Sequence, residues 1–263
     1  MDDAYGGVTV RALGYAALGW LLSLGCTVAQ VNVTATGAVV LQGERVVLSP
    51  MEDMRGVNNV TDAPFSATTV TTTISRDPSS RRPEITRTEM FARDSMGRYR
   101  WQSHDTLVQL SDPVRRMDAQ ILPQAKVARV TFWTDPIPQT PANQRQVAEF
   151  RAKALAAQRA RPDWPQVEDL GEKTIMGVRA IGKRSTYTIP AGAEGNDKPI
   201  AIVTEIWFSP ELKFVLARTQ DDPRKDKVTM VTTELKRDEP DAALFKIPAD
   251  YRAVDQSTGQ DIR

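Results

Sequence analysis

From Phe65 onward the chain is a succession of short segments with a period of two, separated by turn residues, and this pattern constrains the fold more than any other feature. Ser66–Arg76 is dense in β-branched residues, with Val70, Thr72 and Ile74 alternating onto one face. Glu84–Ala92 and Arg98–His104 flank the turn Arg93–Gly97 and read as a hairpin. In the return strand Tyr99, Trp101 and Ser103 point one way, while Arg98, Arg100, Gln102 and His104 point the other. Further strands are expected at Leu107–Leu110, Met117–Leu122, Val127–Trp133, Glu172–Met176, Val178–Ile189, Pro199–Phe208, Leu212–Gln220 and Val228–Lys236. Consecutive strands joined by turns as short as Ser209-Pro210-Glu211 must pair antiparallel.

The period changes once. Thr140-Pro141 offers a cap and a proline at the first helical position, and the stretch to Arg161 carries Val147, Phe150, Ala154 and Ala157 on one stripe. The expected fold is therefore mainly β (α+β): a strongly curved antiparallel sheet or incomplete β-barrel, with one main helix, about 140–161, packed on the concave face. Arg145, Arg151, Lys153, Arg159 and Arg161 make that helix basic, which allows peripheral contact with an anionic membrane or an acidic partner, but the small stripe and the placing of Arg159 and Arg161 at the negative helix end favour simple docking.

The seventeen uncharged residues Ala12–Val28 follow Arg11 and end in Thr27-Val28-Ala29. The run is short for a spanning helix and reads as a signal peptide of residues 1–29, so that the protein is exported to the periplasm or beyond. Ser23-Leu24-Gly25-Cys26 offers a rival reading as a lipid-anchoring sequence, with Ser23 where leucine is usual. Residues 30–64 form an N-terminal extension of mixed pattern, residues 65–255 one sheet domain, and residues 256–263 a tail.

Chemistry is sparse. With 34 Lys+Arg against 33 Asp+Glu, the chain lacks the charge for broad phosphate neutralisation, so no nucleic acid is expected. One His and one Cys leave no nitrogen- or sulfur-rich metal site, and no cofactor motif occurs. Ser103-His104-Asp105 contains the residue types of a hydrolase triad, but on a strand the middle residue faces away from the other two. Asp222-Pro223-Arg224-Lys225 and the other acidic clusters read as solvated turns. No catalytic residue is assigned.

Several motifs resemble known proteins. Gly177, Glu205 with Trp207, the turn Ser209–Lys213, and the ending Phe245, Pro248 and Tyr251 are similar to the closing half of many secreted bacterial β-rich proteins of unassigned function. Thr86–Trp101 fits the same group, whereas Asp112-Pro113 followed by VRRMDAQILP departs from it. More remotely, the order of hairpins and the Phe-x-x-Pro ending resemble the periplasmic outer-membrane lipoprotein-carrier superfamily. That resemblance implies a half-barrel around an apolar cavity and a lipid or lipoprotein ligand. Trp101, Trp133, Phe150, Trp207 and Phe214 are the residues expected to line such a cavity. The alternatives are an envelope interaction module whose cavity is filled, and a hydrolase with anonymous carboxylates.

Overall fold

In the computed structural model the described residues are 32–33, 38–41, 44–47, 58–103, 106–133, single positions between 145 and 160, and 164–262. Backbone contacts divide the chain into two units, Met1–Glu52 and Asp53–Arg263. The first holds a three-stranded antiparallel sheet, β1 (Asn32–Val33), β2 (Ala38–Leu41) and β3 (Glu44–Val47), in a stretch whose mixed pattern gave no strand signal.

The second unit is built on one twelve-stranded sheet. An antiparallel meander contains β4 (Phe65–Ile74), β5 (Glu84–Arg93), β6 (Tyr99–Ser103), β7 (Leu107–Asp112), β8 (Met117–Leu122) and β9 (Val127–Phe132). Another contains β10 (Gln166–Ile175), β11 (Val178–Ile189), β12 (Ile200–Ser209), β13 (Phe214–Asp221) and β14 (Lys227–Lys236). The two join side by side through antiparallel pairing of β14 with β4. A last strand, β15 (Arg252–Asp255), runs parallel to β9. The order across the sheet is β10-β11-β12-β13-β14-β4-β5-β6-β7-β8-β9-β15.

Local chemistry explains the strand ends. Met176 and Gly177 both have positive φ, as a two-residue hairpin turn between β10 and β11 requires. At the β12–β13 turn, Leu212 N donates to Ser209 Oγ at 3.2 Å and Lys213 takes the left-handed conformation. At the β5–β6 turn, Asp94 Oδ1 accepts from Arg98 N at 2.8 Å.

One expectation is overturned. Among the described residues the elements are strands and two short 3-10 turns, Pro123–Ala125 and Ala242–Phe245, and no main helix lies on the sheet. Arg145, Ala148, Glu149, Ala152, Lys153, Ala156 and Ala157 have helical backbone, and all are exposed. That includes Ala157, which the stripe had turned inward. Val147, Phe150 and Ala154 lie outside the described residues. The physical reason is area: a stripe built largely of alanine buries little apolar surface, and docking scales with that surface. Membrane contact through a basic helix loses its support with it.

Side chains pack in two clusters. Cross-strand partners share a face, so Val108 with Ile121, Leu110 with Ala119, and Ile121 with Ala128 form one apolar layer across β7, β8 and β9. Ile247, Tyr251 and Ala253 from the C-terminal segment cover it. The second cluster gathers Phe65, Val178, Ala180, Leu212, Phe214 and Leu216. Arg93 is fully buried beside it, its guanidinium donating to Ala63 O and Leu212 O and lying 4.8 Å over the Phe65 ring. Sequence pattern had placed Arg93 in a turn; the structure makes it the last residue of β5 and a tie between three segments.

Candidate functional site

The register on β14, β4, β5 and β6 sets out two rows of side chains on one face. Lys236, Ser66, Ala92 and Arg100 form the first, each paired with the next, and Glu234, Thr68, Met90 and Gln102 form the second. The small residues at the centre leave a hollow, and the C-terminal 3-10 turn supplies a wall through Leu244. The result is a cleft of about 270 Å³, apolar within and polar at its rim. By comparison, a dry apolar cavity of about 150 Å³ takes a benzene-sized ligand.

Two large apolar side chains of its lining and one a row beyond it stay open to solvent. Met90 is 45% exposed, Leu244 38% and Val231, opposite Val70 in the following row, 42%. Immediately next to Leu244, Phe245 is buried, with the Arg98 guanidinium 5.1 Å above its ring. Asp241 caps the turn by accepting from Ala243 N at 2.8 Å.

Arg100 lines the hollow together with the charged Glu234 and Lys236. Its Nη1 donates to Leu244 O at 3.1 Å and its Nη2 to Gln102 Oε1 at 2.6 Å, so the turn and the strand both hold it. Burial lowers its pKa from the ordinary arginine value, opposed by the nearby Tyr251. Glu234 is held from the other side, where its Oε2 accepts from Thr68 Oγ1 at 3.0 Å.

Two further clefts lie on the other face and share Asn58 and Tyr99. One of about 430 Å³ is polar, lined by Gln109, Asp118, Gln120 and Arg129 among others, and reads as a solvated sheet face. The other, about 170 Å³, is apolar and lined by Phe91, Phe214 and Met230. Burial raises the Tyr99 phenol well above its ordinary value.

The residues expected to line a cavity fall in different places. Phe214 packs 4.8 Å from Phe65 and 5.2 Å from Phe91, and lines the 170 Å³ cleft. Trp101 sits across from Phe91 and Gln109 on β6. Trp207 covers Gly182, donates its indole N–H to Glu205 at 2.8 Å and carries Lys173 Nζ 3.6 Å over its ring. Trp133 follows β9, with its indole nitrogen buried and without a hydrogen-bond partner. Phe150 lies outside the described residues, as do His104 and Asp105 of the Ser-His-Asp sequence. Met90, Ala92, Arg100, Lys236 and Leu244 had not been singled out. Alternation placed Arg100 and Gln102 on one face, but only the pairing with β5, β4 and β14 shows what shares that face.

The described carboxylates with a displaced pKa, among them Glu172, Glu205, Asp222 and Asp250, are all displaced downward by hydrogen bonds. A carboxylate held in its charged form is an ion-pair partner rather than a proton donor near neutral pH. Among the described residues no group of His, Cys, Asp and Glu is placed to hold a metal ion.

No family model matches the chain, and no curated protein matches it in sequence. Solved structures similar to it include the Pseudomonas aeruginosa MucA/MucB complex, at 15% identity, 73% of this chain, 58% of that one and a TM-score of 0.37. A LolA superfamily protein from Nitrosomonas europaea is similar at 9% identity, over 74% of this chain and 93% of that one, with a TM-score of 0.30. The Mycobacterium tuberculosis lipoprotein LppX is similar at 10% identity, over 68% and 90%, with a TM-score of 0.27. The chain spans less than two thirds of the first of these.

Proposed function

We propose that the protein is an exported, non-enzymatic binding protein whose ligand is apolar, a lipid or acyl chain or the lipid of a modified partner. The observation that carries this reading is the 270 Å³ cleft between the β4–β6 face and the C-terminal turn, with Met90 and Leu244 of its lining left uncovered and Val231 a row beyond. Exposed apolar residues scattered singly need no explanation, but Met90 and Leu244 both line one hollow, which favours a surface to be covered. The apolar run Ala12–Val28 supports export. The 170 Å³ cleft at Phe214 is a smaller candidate for apolar contact.

A neutral solvatochromic dye such as Nile red tests the reading. Its emission is expected to shift to the blue on adding the protein, and Met90→Glu and Leu244→Glu are expected to abolish the shift at an unchanged melting temperature. An interaction module with filled cavities predicts no shift in the wild type, and that result sinks the proposal. Native mass spectrometry of protein purified from its own envelope is then expected to show a bound lipid.

A further inference from the structure

We propose that the cleft selects single-chain amphiphiles with an acidic head group, Arg100 taking the acid and the rows beyond it taking the chain; this rests on the reading of the cleft as a ligand site. Four observations meet at Arg100. First, its hydrogen-bond partners are two neutral oxygens, Leu244 O and Gln102 Oε1, and no ion pair joins it to a carboxylate among the described residues. A guanidinium has five N–H donors in a planar fork that matches a carboxylate, so donors remain for a ligand.

Second, burial disfavours its charge, and a partly desolvated cation is stabilised most by an anion brought to it. Third, the nearest anion of the two rows does not serve. Glu234 is on β14, three strand spacings from β6, which is roughly 14 Å. Lys236 ends the same row as Arg100 but stands on β14 two residues from Glu234, equally far from Arg100.

Fourth, apolar side chains spaced among small polar ones run on from the cleft over the length of a chain. From the Ser66–Ala92 row through Met90 to Val70 and Val231 the sheet advances four residues, roughly 13 Å. One leaflet of a bilayer, half of a ~30 Å core, needs about 15 Å of acyl chain. Beyond Val70 the next row is Thr229, Thr72 and Thr86, where the apolar surface ends.

Calorimetric titration of the exported chain with dodecanoate and with dodecanol, each below its aggregation concentration, tests the assignment. Dodecanoate is expected to bind about tenfold or more tightly than dodecanol, the gain of a charge-assisted hydrogen bond. Arg100→Gln is expected to remove that difference while dodecanol binding persists, and Arg100→Lys to retain part of it. Equal affinities for acid and alcohol in the wild type overturn the acidic-head assignment and leave the apolar cleft standing. A preference that survives in Arg100→Gln also overturns it. Binding of neither overturns both.

Discussion

One face of the sheet is finished in two ways. Over β7, β8 and β9 its apolar side chains are sealed: Ile121 and Val130 are essentially inaccessible beneath Ile247, Tyr251 and Ala253. A few strands away, over β14, β4 and β5, the cover stops at Leu244 and leaves Met90 and Val231 in water. The same C-terminal segment borders both regions. Where it supplies side chains the face is core, and where it falls short the face is a cleft. Burial of a full apolar side chain is worth roughly 1.5–3 kcal/mol, so the uncovered part is surface on which a ligand gains what the protein itself has not used.

The adjacent pair Leu244 and Phe245 divides the two regions, and breaking it has the largest expected effect. Phe245→Ala should lower stability by about 3–5 kcal/mol in urea unfolding, the usual loss for a buried aromatic. Leu244→Ala should change stability by about 0.5 kcal/mol or less yet weaken ligand binding. Similar losses for both would mean that the cleft is part of the core.

Gly182 sharpens what a sealed region means. A Cβ there would stand 2.6 Å from the Trp207 ring, a flat face with no flexible end to move aside. Gly182→Ala should cost about 1–3 kcal/mol, read as a fall in melting temperature. Trp207 is thus committed to packing by a glycine opposite it, unlike Met90, which has open space.

Charge gives a smaller effect with a definite sign. Hydrogen bonding to Arg224 holds the Asp222 carboxyl below its ordinary value. A depressed folded-state pKa adds stability that is present above the unfolded value and is lost as pH falls through the folded one. Asp222→Asn should therefore lower stability at neutral pH and flatten its loss in acid, measured as urea midpoints between about pH 2 and 7. The smallest effect is expected at Lys126, whose 2.8 Å pair with Asp250 is exposed on both sides. Lys126→Ala should leave the urea midpoint unchanged.

Much of the sheet was legible because alternation is a local signal. Val178–Ile189 and Met117–Leu122 are strands over the residues expected, and the turns at Gly177 and Ser209 carry their own conformational requirements. Legibility ended where partners are distant in sequence. No local pattern pairs β14 with β4 or places Leu244 beside Met90, so the cleft could not be assembled from strands read singly. The aromatic residues drew attention because they are large; Trp207 carries Lys173 over its ring, and Phe214 packs on Phe65 while lining the smaller cleft. Ala92 and Ser66, which make the hollow, are inconspicuous because a cleft is formed by what side chains lack. The helix failed for a related reason: periodicity showed a stripe, while alanine gave it little to bury.

The parallel pairing of β15 with β9 has a consequence for the order in which the sheet closes. The first meander is complete at Phe132, but its outermost strand acquires its neighbour only when residues 252–255 arrive, and that neighbour is itself backed by the bridge from Val254 to Asp261. A chain made N-terminus first therefore presents an unpaired edge and a bare apolar layer until residues 247–255 have been added. Late closure of this kind slows folding and lengthens the time an aggregation-prone edge stays exposed, and a chain without residues 252–255 would keep that edge open.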